Sequence, residues 1–375
     1  MQLALVALAV MRFGLRLELA PEYDSNVDRV EQGPASTAGA PASGTGASSQ
    51  QAPAPVGSFL LQSTARSTLT LAAGANALRL GLDVGGKWFF ESDARQQDEV
   101  VLRAALDARH RFDRGVTLAL AGEYWDAFQW NDCPPLTPTD PTGVPETWCH
   151  RDFRQAGARL VASWARGVPA IAAEVGARGY QWKPDADLSF LGVGAAVTPS
   201  ARFRQRDRDG EDDTEWTLSS TGRIEQRFYE GPALRSIDDL GDARLPSRRD
   251  LVATWSASVS YVGRALWSLG YLVECDRSSS AGESFLYEAL TMSLTMPLGR
   301  RFTAAGRAQL LFFSSGAGQA LYGEDENRDA LTIDLAREMG AGFTLAARYS
   351  VFANAAGSTR EYLRQLVSLG VTWSR

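Results

Sequence analysis

Apolar and polar side chains alternate one for one along most of this chain, and this period constrains the fold more than any other feature. The stretch RFGLRLEL, which begins at Arg12, places every second residue in an apolar set: Phe13, Leu15, Leu17 and Leu19. Successive side chains of a β-strand point to opposite faces, so the pattern predicts a strand with one apolar and one ionic face. Helical periodicity is not sustained anywhere in the sequence. We therefore expect an all-β protein.

The segments that join the alternating stretches fall into two classes. One class is short and turn-like, as at residues 297–301 and 338–342, and the other is long and polar, as at residues 129–152 and 231–249. The two classes alternate along the chain if residues 198–213, which are charged, act as a short-side turn. This predicts about sixteen antiparallel strands in up-and-down order, with long loops at one end and short turns at the other. A β-sandwich gives no reason for such alternation, because its loops have mixed lengths at both ends.

Composition excludes two classes of protein. A formal net charge of −6 and a pI near 5.2 argue against nucleic acid as a partner, because binding to phosphates requires a basic face. The longest apolar run, residues 1–11, is shorter than the roughly 20 residues that a membrane-spanning helix needs. A transmembrane β-barrel passes this test, because only every second residue of its strands meets lipid. The mean hydropathy of −0.19 is compatible with such a barrel.

The domain organisation is expected to be simple. Residues 1–10, MQLALVALAV, are either the remnant of a secretory signal peptide or the start of the first strand. Residues 11–375 are expected to form a single barrel domain. Within it, residues 31–57 are rich in Ala, Ser, Gly and Pro and have little to bury. Alternating strands flank them on both sides, so we predict an external loop rather than a linker between domains.

The final strand carries a further signal. Its sequence LVSLGVTWSR contains Gly370, Val371 and Trp373 among spaced hydrophobic residues. Together with the alternation and the two classes of connection, this resembles the Gram-negative outer-membrane β-barrels of the porin-like kind. In those proteins the last strand carries a sorting pattern of a glycine, spaced hydrophobic residues and a terminal aromatic residue. Here two residues follow the tryptophan.

The resemblance implies an orientation and a set of partners. Long loops are expected outside the cell and short turns in the periplasm of a Gram-negative bacterium. The expected contacts are outer-membrane lipid and lipopolysaccharide, the barrel-assembly machinery and other envelope proteins. The resemblance does not specify an oligomeric state.

Aromatic residues fall at two levels of the predicted strands, about ten residues apart, as two lipid–water interfaces would select. One level lies toward the short turns and comprises Phe112, Trp164, Tyr261, Trp267, Phe302, Phe343 and Trp373. The other lies toward the long loops and comprises Trp88, Tyr124, Trp182, Phe228, Tyr271, Phe312 and Phe352. Both sets are predicted to face lipid.

The polar faces of the strands are predicted to enclose the barrel interior, and basic residues outnumber acidic ones there. The predicted interior set is Arg16, Arg66, Arg79, Asp83, Lys87, Arg103, Asp107, Glu123, Arg159, Glu174, Arg178, Arg223, Glu225, Arg307, Asp334 and Arg348. Arginines that face a water-filled pore favour anions. Arginines paired with carboxylates on neighbouring strands instead fill a closed barrel with ion pairs.

These two readings predict different functions. About sixteen strands leave an aqueous channel unless loops fold inward. The first prediction is therefore a conduit, porin-like or for export, that carries polar solutes or a polymer, anions among them. The alternative is a closed structural barrel that serves as the scaffold of an envelope export, adhesion or motility machine.

The sequence offers little for catalysis or metal binding. The chain has two histidines, His110 and His150, and neither has a serine and a carboxylate at the spacing of a catalytic triad. The acidic segments at residues 207–213 and 323–327 do not follow the spaced pattern of a calcium loop. We therefore predict no enzyme, no cofactor and no metal site.

Three cysteines are too few for a disulfide scaffold. Cys133 and Cys149 bracket a Pro-rich polar stretch, where a disulfide that closes the loop is plausible in an oxidising compartment. Cys275 is expected to be a lone thiol.

Overall fold

The computed structural model describes residues 10–25, 57–91, 98–129, 153–183, 186–206, 213–233, 245–280, 284–315, 329–354 and 362–375. Nearly all of these residues belong to sixteen β-strands. They are β1 (Val10–Asp24), β2 (Ser58–Ala73), β3 (Asn76–Phe89), β4 (Glu99–Arg111), β5 (Val116–Gln129), β6 (Phe153–Ala165), β7 (Pro169–Trp182), β8 (Phe190–Arg206), β9 (Asp213–Pro232), β10 (Ser247–Val262), β11 (Leu266–Ser278), β12 (Phe285–Pro297), β13 (Phe302–Ser315), β14 (Asp329–Gly340), β15 (Phe343–Asn354) and β16 (Tyr362–Ser374). Two three-residue 3-10 turns, Asp113–Gly115 and Ala186–Leu188, accompany them.

The strands form one closed antiparallel barrel. Each strand pairs with its neighbours in the sequence, and β1 pairs with β16 to close the sheet. At this closing seam Leu17 lies opposite Trp373, and Leu19 lies opposite Val371. Closure removes the edge strands, so the backbone groups of every strand find partners without water. The predicted antiparallel up-and-down barrel of sixteen strands is confirmed.

The apolar faces of the strands point outward. On β1, Phe13 is 64% exposed and Leu19 is 52% exposed, whereas Glu22 is 5% exposed and Asp24 is 0% exposed. A water-soluble protein would bury the apolar side chains and expose the charged ones. An apolar surface around a closed barrel instead has lipid as its solvent. The alternation in the sequence therefore separates a lipid-facing outer face from an interior face.

The strands are longer than a membrane crossing requires. The shortest, β14 and β15, have 12 residues each, and β9 has 20. A tilted transmembrane strand needs about 9–11 residues to cross the hydrocarbon core. The wall of the barrel therefore continues beyond the hydrocarbon core. Among the described residues there is no helix of the length and apolar character that crossing a membrane would take, a finding that concerns helices alone.

Glycine is required in the short turns. Gly74, between β2 and β3, has a φ of 58°, and Gly342, before β15, has a φ of 82°. Both angles lie in the left-handed region, which a residue with a Cβ enters at a cost. A Cβ at Gly342 would also lie 2.3 Å from the carbonyl oxygen of Ser374 on β16. This turn packs against the last strand only because it has no side chain there.

One predicted turn is wrong in its bounds. Residues 198–213 were expected to connect two strands, but β8 continues to Arg206 and β9 begins at Asp213. Arg202 and Arg204 lie opposite the start of β9, and both pair with Glu215, at 3.2 and 2.7 Å. The hydropathy pattern missed this extension because the interior positions of both strands are charged there.

Several sequence predictions lie outside the described residues and stay predictions. They concern residues 1–9, nearly all of the loop at residues 31–57, both half-cystines of the predicted disulfide (Cys133 and Cys149), His150, and most of the two acidic segments. Val10, the last residue of the possible signal remnant, belongs to β1.

Candidate functional site

The structure places the predicted interior residues on the interior face of their strands. Across β1 to β4 the register sets Arg16 opposite Arg66, Arg66 opposite Asp83, and Asp83 opposite Arg103, which gives one ionic row across four strands. The rest of the set shares this phase: Arg79, Lys87, Asp107, Glu123, Arg159, Glu174, Arg178, Arg223, Glu225, Arg307, Asp334 and Arg348. What these residues do to a solute remains a proposal.

A cavity of about 390 Å³ lies against the interior wall of β2 to β9, and we call it the arginine cavity. Its ionic lining comprises Arg66, Arg79, Arg103, Arg109, Arg159, Arg178, Arg223, Asp83, Asp107, Glu123, Glu174 and Glu225. Seven arginines thus face five carboxylates. Small residues fill the spaces between them: Gly81, Ala105, Ala121, Gly157, Gly176, Gly192 and Gly194.

Two carboxylates in the arginine cavity are each bracketed by two arginines. Glu225 accepts hydrogen bonds from Arg178 at 2.8 and 3.0 Å and from Arg227 at 2.7 Å. Glu174 accepts one from Arg223 at 2.6 Å and lies 3.9 Å from Arg159 Nε. Each group of three carries one more positive than negative charge.

Other predicted arginines form simpler pairs. Arg66 Nε donates to Asp83 at 2.9 Å, and Arg348 Nε donates to Asp334 at 2.6 Å. Arg103 lies 3.9 Å from Glu123. These pairs are well exposed, so each contributes little to stability, at most about 1 kcal/mol.

Three predicted cations have no carboxylate within ion-pair distance among the described residues. They are Arg79, Lys87 and Arg307, on β3 and β13. Arg79 lies opposite Thr70 and Asp107, but Asp107 hydrogen-bonds to Arg109 instead. Arg307 lies between Ser293 and Thr332. Among the described residues, Arg79 and Arg307 therefore have no carboxylate that neutralises them locally, whereas Lys87 interacts electrostatically with Glu22.

Glycines lie next to the ionic side chains of the wall. A Cβ at Gly176 would lie 2.9 Å from Arg159 Cβ, and one at Gly157 would lie 3.2 Å from Arg178 Cβ. A Cβ at Gly192 would lie 3.1 Å from the Glu225 carboxyl carbon. Because these positions lack side chains, the charged residues of the neighbouring strands approach them closely. All three glycines line the arginine cavity.

Sequence reasoning missed an ionic layer near the long-loop ends of the strands. Asp24 accepts hydrogen bonds from Arg364 across the closing seam, and Asp250 accepts hydrogen bonds from Arg248. Asp24 and Asp250 are 0% exposed, and Asp276 is 2% exposed. Extending the alternation of β1 would have placed Asp24 on the interior face. The segment PEYD at residues 21–24, however, has the composition of a loop. These carboxylates make the basic excess of the interior smaller than predicted.

A row of aromatic rings also lies on the interior face. Its ring centroids are 6.5 Å apart from Trp125 to Phe153, 5.7 Å from Phe153 to Tyr180, and 5.3 Å from Tyr180 to Phe190. Tyr229 continues the row at 5.1 Å. Aromatic contacts therefore join each of the four pairs of neighbouring strands from β5 to β9.

Two aromatic predictions are wrong. Trp182 and Phe352 were expected to face lipid, but both share the interior phase. Trp182 stacks on Tyr180, two residues before it, and Phe352 lies opposite Arg364. Alternation places residues two apart on the same face, so Arg178 and Arg348 already define the phase of these two strands. The prediction relied on the position of each aromatic residue along its strand and neglected the face on which the alternation places it.

The remaining candidates are apart from this wall. The His110 ring lies on the outer phase of β4, with Nδ1 2.7 Å from Asn76 Oδ1. No group of three metal-ligating side chains occurs among the described residues. Cys275 is a free thiol. In β16, Val371 and Trp373 face outward and Gly370 lies against Ala20; their role in sorting stays a prediction.

A closed barrel with an even number of strands, an apolar outer surface and an ionic interior has the architecture of single-chain barrels in bacterial outer membranes. The chain is an outer-membrane β-barrel of porin-like architecture. Its location is accordingly the outer membrane of a Gram-negative bacterium.

The chain is similar to several solved structures at low identity. An anion-selective porin from Comamonas acidovorans is 11% identical, with coverage of 98% of this chain and 100% of that chain and a TM-score of 0.48. In-vitro folded OmpT, an outer membrane protein of Vibrio cholerae, is 10% identical, with coverage of 98% and 99% and a TM-score of 0.45. A bacterial polysaccharide outer membrane secretin is 10% identical, with coverage of 95% and 97% and a TM-score of 0.40. No family model and no curated protein matches the sequence.

Proposed function

We propose that this outer-membrane barrel is an open conduit for polar solutes and that it favours anions. The observation that carries the proposal is the arginine cavity, where seven arginines face five carboxylates. A net positive wall in a water-filled lumen concentrates anions and repels cations.

The unpaired cations support the same preference. Arg79 and Arg307 form no ion pair with a described carboxylate, and they lie on widely separated strands, β3 and β13. Their fields add along the lumen instead of cancelling locally. In a wide pore that contains water and salt, such charges act over about one Debye length, roughly 30 Å at 0.01 M and 3 Å at 1 M.

The glycines support an open lumen. Gly157, Gly176 and Gly192 line the arginine cavity and place no side chain in it, next to Arg178, Arg159 and Glu225. Bulky residues at those positions would force the charged groups inward and fill the space.

The alternative is a closed scaffold for an envelope machine. It is supported by the bracketed carboxylates and by the aromatic row, both of which stiffen the wall. The two functions differ in conductance, since a scaffold barrel passes no ions.

Planar-bilayer recording of the refolded protein tests the conduit. The informative variant is Arg79→Glu with Arg307→Glu, because neither arginine has an ion pair to lose within the described part of the chain. We expect anion preference, measured from the reversal potential in a salt gradient, to fall or reverse, with the largest change at low salt.

The matched control changes the same amount of charge on the outer face. Arg277 and Arg337 lie on the outer phase of β11 and β14, and reversing both should leave selectivity almost unchanged. An unmodified protein that never conducts would favour the scaffold. If reversing the charges of Arg79 and Arg307 leaves ion selectivity unchanged, these two arginines do not line the permeation path.

A further inference from the structure

The two bracketed carboxylates resemble bound ligands. Glu225 receives a two-point hydrogen bond from Arg178, through Nε at 3.0 Å and Nη2 at 2.8 Å, and a third hydrogen bond from Arg227 Nε. This forked geometry is the one by which arginine recognises a free carboxylate. The side chain of Glu225 thus occupies a place that fits a carboxylate of any origin.

The arginines of this site are held by more than Glu225. The guanidinium carbons of Arg178 and Arg227 lie 5.3 and 5.1 Å from the centre of the Phe190 ring. Cation–π contacts of this kind fix the plane and position of a guanidinium. Arg227 also lies 3.5 Å from Asp276. The pair would therefore stay in place if the Glu225 carboxylate moved away.

The exposed side of each site belongs to the arginines. In the first group the side chain of Arg178 is 32% exposed, that of Arg227 is 15% exposed and that of Glu225 is 8% exposed. In the second group the side chains of Arg159 and Arg223 are 51% and 40% exposed, against 23% for Glu174. A guanidinium has five N–H donors, and Arg178 uses two of them on Glu225 whereas Arg223 uses one on Glu174. A solute in the arginine cavity would therefore meet Arg178, Arg159 and Arg223 first, because Arg227 does not line the cavity.

We propose that the Arg178–Arg227 and Arg159–Arg223 pairs are two carboxylate-binding sites, each occupied in the empty protein by the chain's own Glu225 or Glu174. This inference rests on the proposed conduit and names its solutes as carboxylate-bearing compounds. A permeating carboxylate takes hydrogen bonds from the arginines while the resident glutamate swings aside, and the glutamate then displaces it.

This competition has a function in transport. Conduction requires that a site bind its solute well enough to attract it and weakly enough to release it. Arginine pairs without a resident carboxylate would hold a dicarboxylate too long. Glu174 and Glu225 therefore set the residence time of the solute, whereas the surplus positive charge sets its sign.

The test measures binding of succinate to the refolded full-length protein in detergent by calorimetry, at constant ionic strength. In Glu225→Gln the competitor loses its charge, and we expect the Kd for succinate to fall about fivefold. Asp334→Asn removes one interior carboxylate of another ion pair, with Arg348, and should change the Kd much less.

A second pair of variants keeps the charge constant. A Cβ at Gly192 would lie 3.1 Å from the Glu225 carboxyl carbon, whereas a Cβ at Gly222 would meet nothing within 4 Å. Gly192→Ala should therefore crowd the place that the Glu225 carboxylate and an incoming carboxylate share, and weaken succinate binding, whereas Gly222→Ala should not. This pair also keeps the test informative if Glu225→Gln folds poorly.

The outcomes separate the two proposals. Equal tightening in Asp334→Asn and Glu225→Gln, or no weakening in Gly192→Ala, would overturn the carboxylate sites. If the expected pattern of succinate binding occurs in a protein that never conducts, the sites stand and the conduit is wrong. Anion-selective conductance without any effect of these variants on succinate leaves the conduit standing and refutes the sites.

Discussion

An arginine placed on the outer face of β16 should destabilise the barrel far more than one placed on the adjacent interior position. Leu369 is 53% exposed on the outer face and lies one residue from the middle of the 13-residue strand. Ser368 lies on the interior face, opposite Arg348 on one side and Glu22 on the other. The two sites are neighbours in the chain but differ in solvent.

The expected magnitudes follow from those environments. An arginine facing lipid near the bilayer midplane costs about 2–4 kcal/mol, so Leu369→Arg should reduce the folding equilibrium constant about thirtyfold to several hundredfold. In Ser368→Arg the new guanidinium meets water and can pair with Glu22, whose Oε1 has no hydrogen-bond partner among the residues that the structure describes. Repulsion from Arg348 offsets part of that gain, so the net change should stay within about 1 kcal/mol.

Urea unfolding of protein refolded into lipid vesicles measures both variants, with tryptophan fluorescence and heat-modifiable gel mobility as independent probes. The midpoint for Leu369→Arg should fall clearly, and that for Ser368→Arg should remain close to the unmodified value. Equal midpoints for the two variants would refute the assigned strand phase, and with it every interior position on β16.

Two further predictions test the interior. Asp24→Asn should lower the free energy of unfolding by about 3 kcal/mol, because it leaves Arg364 without the buried carboxylate that joins β16 to β1. Asp83→Asn, at an exposed ion pair, should lower it by at most about 1 kcal/mol. Equal urea midpoints for the two variants would contradict this. In vesicles of brominated lipid, Trp88→Phe should reduce the quenched fraction of tryptophan fluorescence because Trp88 is 39% exposed on the outer face, whereas Trp182→Phe should not reduce it. A lower quenched fraction in Trp182→Phe would show that Trp182 faces lipid and would contradict its interior position.

The sequence alone determined the class of fold, the number of strands and the sorting of most side chains between two faces. Each of these depends on local information. The alternation of apolar and polar residues assigns a residue such as Leu17 or Leu369 to one face of its strand. The length of a connection such as residues 297–301 assigns it to one end of the barrel. An error occurred where charged interior positions resembled a turn, as at Arg202 and Arg204 in β8.

Only the tertiary structure decided which charges neutralise one another and where space remains. Glu225 meets Arg178 from two strands away, and the gap between them is open because Gly192 on the intervening strand has no side chain. Such meetings depend on the register between strands that are distant along the chain, and a shift of two residues would keep every side chain on its face while changing every partner. The alternation of apolar and polar residues is the same before and after that shift, so it does not predict the register. It therefore specifies the wall of the barrel but leaves the arrangement of its charged lining to the packing of the strands.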